Sequence, residues 1–409
     1  MSIKAGQILH DANGFVLDRI QSVGGSISQN EEKIYELGNY KTVATVRDIP
    51  DLSFDVESFD VTSEFEALVT NQDPTALAAG QEIDLGQYVP INVISPFKSA
   101  QGQFDIVKGI VLPHLTLERS SYRFGVGQNA SQSHTLRGDS IFYVQGTPYI
   151  DKYTVVAGTS QAYVFDVSPA QLYEYSGDDY YALDITASVA GTSKFKRLYI
   201  GDDYVNTTTG FTILKDISLE GYDTLSVCYG SITSTNYPQS VHELPSAIAP
   251  AAIRGKDVDV FVASDSATPV FERWTGIQSF EVSRSVNIEN DEELGNPRFV
   301  SQEFDTAEVS GSVELKPRDP EDLWSKIAQI TGTEGSVQVA GALTSRPLPV
   351  VVNVNSPDTG DVLKSFYVPD ARFTIPATSG RVQQKLSISM SFSSDGGELL
   401  IYNGDSGLV

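Results

Sequence analysis

The chain has 409 residues and a formal net charge of −25, from 53 acidic against 28 basic residues. A hydrophobic fraction of 40% and an aromatic fraction of 10% indicate folded structure, and the length predicts two or three domains. The acidic excess disfavours a clamp on nucleic acid and docking on anionic membranes, because both need clustered Lys and Arg. An acidic surface can still face DNA that passes without adhering, since like charges repel.

The cysteine content and the termini point to an intracellular folding environment. The single cysteine, Cys228, cannot form a disulfide within the chain, so the fold needs no oxidising compartment. The first residues, MSIKAGQILHDANG, lack the apolar stretch of a signal peptide, and no stretch is long and apolar enough for a membrane span. We therefore expect a protein that folds in the cytoplasm.

A segment near the start of the chain returns much later. IQSVGGSISQNEEKIYELGN at 20–39 corresponds to IQSFEVSRSVNIENDEELGN at 277–296. Over Ile20–Asp48 and Ile277–Asp305, 13 of 29 positions are identical without a gap, whereas unrelated segments would share roughly 6% of positions. We interpret this as a duplication, with repeat 1 at 1–148 and repeat 2 at 255–409.

Each repeat is predicted to contain β-strands, one helix and further β-strands. Apolar residues alternate with serines in VQQKLSISMSF at 382–392, which is typical of a strand with one buried face. In repeat 2, Asp319 as N-cap, Pro320 at the first helical position and Gly332 as a stop predict a helix. In repeat 1, Ser63 and Glu66 predict a helix that begins with a capping box.

The segment between the repeats has no counterpart in either of them. At 149–235, alternating runs such as AYVFDV and DTLSVCYG are separated by turns rich in Gly, Asp and Thr. This pattern predicts a small antiparallel β-sandwich that is inserted between the repeats. The stretch at 236–254, rich in Pro and Ala, is predicted to be the linker back to repeat 2.

Residues that could support catalysis or metal binding are few. The acid pairs Asp178–Asp179 and Asp202–Asp203 could bind Ca²⁺ or act as glycosidase carboxylates, but they lack the spacing of a calcium loop and are better interpreted as solvated turns. The four histidines are scattered without metal-binding spacing: His10, His114, His134 and His242. We therefore predict no catalytic residue, no metal and no cofactor.

Two acidic loops occupy corresponding positions in the repeats, QNEEKIYELGN at 29–39 and VNIENDEELGN at 286–296. One interpretation is a solvated hairpin loop. The other is an interaction loop, since a long polar connection held in two β units is well placed to contact neighbouring subunits. The candidate contact residues are Glu31, Glu32, Glu36, Leu37, Gly38 and Asn39 in the first loop and Glu289, Asp291, Glu292, Glu293, Leu294, Gly295 and Asn296 in the second.

The order of these features resembles the major tail (tail tube) proteins of long-tailed bacteriophages: a strand, an acidic loop closing in Glu-Leu-Gly-Asn, a strand, a β-hairpin, a capped helix and further strands. The resemblance covers both repeats, and the insert resembles immunoglobulin-like decorations of tail proteins. The resemblance implies rings in which the sheets of neighbouring subunits join edge to edge into a β-barrel around a channel. It also implies that the rings stack through the two acidic loops. It places the helices at Ser63–Asn71 and Asp319–Thr331.

The resemblance also implies the assembly and its partners. The family's usual ring has six tube domains, so a chain with two of them implies a trimeric ring with pseudo-sixfold symmetry. The implied partners are other copies of the chain, a tape-measure protein, tail terminator and distal tail proteins, and viral DNA that passes through an acidic-lined lumen. The implied location is the virion tail, assembled in the host cytoplasm, with no membrane contact.

The predicted fold class is mainly β, with two tandem tail-tube sandwich or half-barrel repeats, each with one α-helix, and an inserted immunoglobulin-like sandwich. An alternative function is a receptor- or carbohydrate-binding β-protein of a phage or cell surface, which would use the same strands to display loops. A glycan-cleaving enzyme has little support, because it depends on the isolated acid pairs alone.

Overall fold

The predicted mainly β class is confirmed, since the described part of the chain contains thirty strands and two α-helices. The computed structural model describes residues 11–12, 15–17, 20–35, 42–47, 49–59, 62–86, 89–96, 109–144, 147–155, 161–165, 172–175, 178–180, 182–189, 192, 194–207, 209–214, 217–231, 253–264, 268–291, 299, 301–332, 346–374 and 387–409. We refer to 11–144 as the first half, 147–231 as the insert and 253–409 as the second half.

The first half folds into short strands around one helix. Alternation determines the buried face: in Asp51–Ser58 every second side chain, such as Phe54, points into the core. Its elements are β1 Asp11–Ala12, β2 Phe15–Val16, β3 Ile20–Ser28, β4 Glu31–Tyr35, β5 Thr42–Arg47, β6 Asp51–Ser58, α1 Glu64–Val69, β7 Gln81–Asp84, β8 Ile91–Pro96, β9 Gly109–Gly125, β10 Ser131–Gly138 and β11 Phe142–Val144.

Strand β9 belongs to two sheets. Its first part, up to Leu115, pairs with β8 and β11, and its second part, from Thr116, pairs with β10. The change occurs at His114, which has a φ of 54°, a left-handed conformation that residues with a side chain rarely adopt. The first part forms the outer sheet with β8, β1, β2 and β11, and the second part forms the inner sheet with β10, β6 and β3.

The second half contains a similar series of elements. A 3₁₀ turn at Gly255–Asp257 precedes the first strand. The other elements are β21 Val258–Ala263, β22 Phe271–Arg273, β23 Ile277–Ser285, β24 Ile288–Asp291, β25 Ser301–Phe304, β26 Glu308–Leu315, α2 Pro320–Thr331, β27 Leu348–Asn355, β28 Val362–Phe373, β29 Ile388–Ser394 and β30 Leu400–Asn403.

The strand pairing of the first half recurs in the second. In the first half, β1 pairs with β2 and β8, β6 pairs with β3 and β10, and β9 pairs with β8, β10 and β11. In the second half, β21 pairs with β22 and β27, β26 pairs with β23 and β29, and β28 pairs with β27, β29 and β30. Strands β3 and β6 correspond to β23 and β26 at the offset that aligns Ile20 with Ile277.

The two helices begin differently. Helix α2 agrees with its predicted signals: Asp319 accepts a hydrogen bond from the Asp322 N–H at 2.8 Å, Pro320 is the first helical residue, and Gly332 ends the helix with a φ of 70°. The capping box predicted for α1 is wrong, because the Ser63 side chain makes no capping bond. The Glu66 carboxylate turns into the protein interior instead of back to the helix start.

The insert forms antiparallel sheets around its own core, in which Tyr149, Phe211 and Tyr229 are buried. Its sheets have the orders β12-β20-β16-β17, β13-β19-β18 and β14-β15. The strands are β12 Thr147–Thr154, β13 Ala162–Val164, β14 Leu172–Tyr175, β15 Asp178–Tyr180, β16 Ala182–Ser188, β17 Phe195–Leu198, β18 Tyr204–Thr207, β19 Gly210–Ile213 and β20 Thr224–Ser231.

The insert packs on the first half through Cys228. This buried residue forms a small apolar cluster with Ile94, Val111 and Val144 of the outer sheet, separate from the main core. The insert therefore covers the side of the outer sheet that faces away from the main core. The predicted linker lies almost entirely outside the described residues, and no helix in the described part is long and apolar enough to cross a membrane.

Candidate assembly surfaces

A strand ladder joins the two halves of the chain. Strands β9 and β23 pair antiparallel over seven residue pairs, from Gly125 opposite Ser279 to Arg119 opposite Ser285. The result is one sheet of eight strands in the order β3-β6-β10-β9-β23-β26-β29-β28. Two β units of this chain are thus already joined edge to edge.

The eight-stranded sheet has one apolar and one polar face. The apolar face packs on the core through residues such as Phe54, Leu136 and Phe280. We call the opposite side the serine face. Its residues are Ser22, Gly24, Ser26, Ser28, Asp51, Ser53, Asp55, Glu57, Arg119, Ser121, Arg123, Ser131, Ser133, Thr135, Arg137, Ser279, Glu281, Ser283, Ser285, Glu308, Ser310, Ser312, Glu314, Arg372, Ser389, Ser391 and Ser393.

Charges on the serine face are nearly balanced. Six carboxylates stand against four guanidinium groups in the set above. Several are engaged with neighbours across the strands: Arg123 pairs with Glu281 at 3.2 Å, and Thr135 donates to Asp55 at 2.7 Å. The surface is therefore hydrophilic and rich in hydroxyl groups, without a cluster of cations.

Strand β3 has a ladder on one side only within the described residues, where it pairs with β6. Ile27, on its core side, is 51% exposed. The equivalent strand β23 has β26 on one side and β9 on the other. Arg284, which corresponds to Ile27, is only 7% exposed. Strand β9 thus covers this position on β23, whereas no described strand covers it on β3.

Strand β11 shows the same contrast with its equivalent, β30. Among the described residues β11 pairs only with β9, and its Tyr143 is 76% exposed. Strand β30 pairs on its second side with β7 of the first half, where the Tyr402 hydroxyl donates to Glu82 at 3.2 Å. Burial and the Glu82 carboxylate raise the pKa of Tyr402 to about 12. Among the residues that the structure describes, the first half therefore has two unpaired strand edges whose equivalents in the second half are both paired.

A buried ion pair ties the halves together. Lys364 Nζ on β28 donates to Glu66 Oε1 on α1 at 2.6 Å and to the Thr62 carbonyl oxygen at 3.0 Å, and neither charged side chain is exposed. The Tyr122 hydroxyl donates to the same Glu66 oxygen at 2.6 Å. Burial alone would raise the pKa of Glu66, but the charge of Lys364 and these bonds hold it below its ordinary value.

His134 lies beside this pair and is neutral at pH 7. Burial lowers its pKa to about 4, against the opposing attraction of Glu66. Its Nδ1 lies 3.0 Å from the Ser120 hydroxyl, and its ring stacks on Phe65 with centroids 4.1 Å apart. His134 therefore packs as a core residue.

A second buried network fixes the insert. Arg197 on β17 donates to Asp184 of the insert at 2.9 Å and to Asp139 of the first half at 2.5 Å. Asp139 also accepts from the backbone N–H of Phe299 in the second half, and the Tyr199 hydroxyl donates to the Phe299 carbonyl oxygen at 2.6 Å. Burial would raise the pKa of Asp139, but Arg197 holds it at about 2. One carboxylate thus contacts all three parts of the chain.

We expect Asp139→Asn to lower the free energy of unfolding by about 2–3 kcal/mol, because it removes the charge that accepts two hydrogen bonds from Arg197, at 2.5 Å and 3.2 Å. The contribution of the Asp139 carboxylate to stability is complete above its ordinary pKa of 3.8 and is lost as the pH falls toward 2. Urea unfolding at pH 7 measures the loss. Asp202→Asn, at an exposed turn of the insert, is the matched control and should change stability by less than about 0.5 kcal/mol. Equal effects of the two substitutions would contradict the network's role.

Each predicted acidic loop contains the first strand of a β-hairpin, β4 of β4–β5 and β24 of β24–β25, and these hairpins follow the C-terminal ends of β3 and β23. Glu31 and Glu32 lie on β4, and Glu289 and Asp291 lie on β24 with exposed side chains. The remaining candidates lie outside the described residues: Glu36, Leu37, Gly38, Asn39, Glu292, Glu293, Leu294, Gly295 and Asn296.

The acid pairs and histidines do not converge. Asp202 is exposed in a turn, whereas Asp203 is buried and accepts the Tyr199 N–H at 2.8 Å. His114 is buried 3.4 Å from the Thr186 hydroxyl, and His10 and His242 lie outside the described residues. No group of three or more His, Cys, Asp or Glu suited to a metal ion is found in the described residues.

No protein-family model matches the sequence, and no curated protein matches it. Solved structures of slight likeness include two particle structures. One is the tail of an empty gene transfer agent particle, obtained by helical refinement with C6 symmetry, at 16% identity and a TM-score of 0.24. The other is the virion of a native gene transfer agent particle, at 16% identity and a TM-score of 0.23. Each match covers 36% of this chain and 97% of the other.

Proposed function

We propose that this chain is a structural virion protein, a phage major tail protein that assembles into stacked rings and forms the tail tube. The observation that supports this is the β9–β23 ladder, which joins two β units of the chain edge to edge. The recurring pairing scheme supports the view that these units arose by duplication. A molecule with the same unit twice can repeat the same junction between copies.

The open edges indicate how copies would join. Strand β28 corresponds to β9, so the C-terminal part of β28 is the expected partner of β3 in the next copy. Exposed sheet edges tend to pair with other strands, and closure into a barrel removes them. Three copies, each with two units, would close a ring with pseudo-sixfold symmetry. In that ring Ile27 and Tyr143 become covered, as Arg284 already is and as Tyr402 is in part.

The serine face is the expected wall of the channel. Its opposite side packs on the core, and the outer sheet and the insert lie beyond that core. The insert would therefore decorate the outside of the tube. A wall of hydroxyl groups with slightly more carboxylates than guanidinium groups offers DNA no cluster of cations to bind. The expected lumen is thus hydroxyl-rich and only mildly acidic.

Besides other copies of the chain, the expected partners are a tape-measure protein at the lumen and terminator and distal tail proteins at the tube ends. Viral DNA would pass through without specific binding. The expected location is the tail of the virion, after assembly in the host cytoplasm. The role is structural and needs no catalytic residue or cofactor.

Negative-stain electron microscopy of the purified full chain tests the proposal. Concentrated protein, alone and with tail initiator components, is expected to form open-ended hollow tubes whose end-on averages show three-fold symmetry with strong six-fold character. A ring with six copies of the chain would contradict the trimer. Discrete oligomers that never stack would contradict the tube and favour a surface-binding protein.

A further inference from the structure

Hydrogen bonds near the C-terminal ends of α1 and α2 show which residues of the two helices are equivalent. The Thr70 hydroxyl donates to the carbonyl oxygen of Glu66, and the Thr331 hydroxyl donates to that of Ile327, both at 2.9 Å. The residues directly after the two threonines both have a positive φ, of 57° and 70°. Aligned on these features, Thr62, Ser63 and Glu66 correspond to Leu323, Trp324 and Ile327.

This face of α1 is covered by the second half of the same chain. Lys364 of β28 donates to the Thr62 carbonyl oxygen at 3.0 Å and to the Glu66 carboxylate at 2.6 Å, and Ser63 between them is buried. Lys364 lies in the part of β28 that pairs with β30, and its Nζ lies 4.9 Å from the ring of Tyr122 in the main core. The face of α1 therefore lies on the core-facing side of β28 and β30.

The equivalent face of α2 is apolar and partly open. Trp324 is 52% exposed, and Leu323 and Ile327 beside it are half-buried. None of the three carries a charge, whereas the equivalent position on α1 holds Glu66. An exposed tryptophan flanked by apolar residues is the kind of side chain that is enriched at the centre of protein interfaces. This face of α2 thus has the character of a contact surface.

The first half has an open apolar site at the place where the second half receives α1. Ile110 of β9 lies opposite Tyr143 of β11, as β28 lies beside β30. Phe142 and Val144 belong to the cluster beneath the insert, so alternation directs Tyr143 to the other side of the sheet, toward the main core. Ile110 packs against that core and is half-buried, whereas Tyr143 is 76% exposed.

We propose that Trp324 of one copy packs against Tyr143 and Ile110 in the first half of the next copy of the ring. This inference rests on the proposed tube. Within the chain, the half that receives α1 is also the half whose β23 pairs with β9. By the same geometry, the copy whose β3 pairs with β28 receives α2.

The two kinds of junction then differ in chemistry. Inside the chain, α1 meets β28 through the buried ion pair of Glu66 and Lys364. Between copies, α2 meets β9 and β11 through aromatic and aliphatic side chains. Burying a charge requires that its hydration is lost first. An apolar contact has no such cost, so it suits a junction that forms between chains that have already folded.

Tryptophan fluorescence of the full chain reports on this contact during ring formation. The chain has two tryptophans, and Trp274 is only 5% exposed before assembly. A change in emission therefore comes from Trp324. As rings form, the emission maximum should move to shorter wavelength and acrylamide should quench less, because the indole ring leaves water. Rings that form with unchanged emission and quenching would overturn the contact.

A double-mutant cycle identifies the partner of Trp324. Trp324→Ala and Tyr143→Ala should each weaken ring formation at least about tenfold, because each removes a large aromatic surface from the interface. Both side chains are exposed in the isolated chain, so folding should be unaffected. The double variant should be no weaker than the weaker single variant, since either substitution already removes the contact. Analytical ultracentrifugation measures the ring fraction, and circular dichroism confirms folding.

Val164→Ala is the control, because it shortens an apolar side chain that is 65% exposed on the insert. It should form rings at the concentration that the unmodified chain needs. Ring formation by Trp324→Ala at that same concentration, or effects of the two substitutions that multiply in the double variant, would overturn the contact and leave the tube standing. Absence of rings in the unmodified chain would overturn the tube, and the contact with it.

Discussion

Replacing Ile27 with aspartate is expected to leave the chain folded and to abolish ring formation. Ile27 is 51% exposed in the isolated chain, so a carboxylate there stays in contact with water and costs little. In a ring, the next copy would cover this position. An unpaired carboxylate would then lose its hydration without gaining a partner, at a cost of several kcal/mol at each junction.

Arg284, the residue on β23 that is equivalent to Ile27, shows how closely a covering strand approaches this position. Arg284 lies at the β9–β23 junction, where burial lowers its pKa to about 10 against the opposing attraction of Asp84. A charge at this position is therefore desolvated even though a carboxylate lies nearby. If β3 is covered by the next copy in the same way, Ile27→Asp should weaken each junction at least about a hundredfold.

Ser26→Asp is the matched control, because the neighbouring side chain points to the serine face and should stay in water. It adds the same charge one residue away and should form rings at the concentration that unmodified protein needs. Analytical ultracentrifugation measures the ring fraction, and circular dichroism confirms folding of each variant. Rings of Ile27→Asp at unchanged protein concentration would show that β3 is not an assembly edge.

Local patterns predicted the elements that depend on neighbours in sequence. The start and end of α2 follow from Asp319, Pro320 and Gly332, each of which acts within one helical turn. The buried face of β29 follows from two-residue alternation. The repeated segment at Ile20 and Ile277 anticipated strands that occupy equivalent places in two sheets.

Contacts between distant residues could not be predicted in this way. Glu66 has the spacing of a capping box, but its carboxylate binds Lys364, which lies 298 positions away. The β9–β23 ladder is another long-range pairing, and the sequence of neither strand indicates which strand it pairs with. Arg197 carries no motif, yet it joins the insert to the first half. The acidic loops at 29–39 and 286–296 could be proposed from sequence because charge and repetition are visible there, whereas the basic residues Arg254, Arg273 and Arg318 come together from separate segments.

Replacing Lys364 with methionine is expected to lower the free energy of unfolding by about 3–5 kcal/mol at pH 7, because it leaves the buried Glu66 carboxylate without its counter-charge. Lys364→Met/Glu66→Gln should recover most of that loss, since the carboxylate is removed as well. Lys196→Met is the control: its side chain is 36% exposed and lies 3.7 Å from Asp203, so its loss should stay below about 1 kcal/mol.

The pH dependence distinguishes a lost charge partner from lost packing. In the unmodified chain the pKa of Glu66 lies below its ordinary 4.5, so the pair's contribution is present above that value and declines as the pH falls through the lowered pKa. In Lys364→Met burial acts on Glu66 without this opposing charge and raises its pKa. The loss of unfolding free energy caused by Lys364→Met should then be largest above the raised pKa. It should decrease as the pH falls below that value, because protonation neutralises the buried Glu66 carboxylate. Urea unfolding of both chains at pH 7 and pH 5 measures the difference, and a penalty independent of pH would assign the effect to packing.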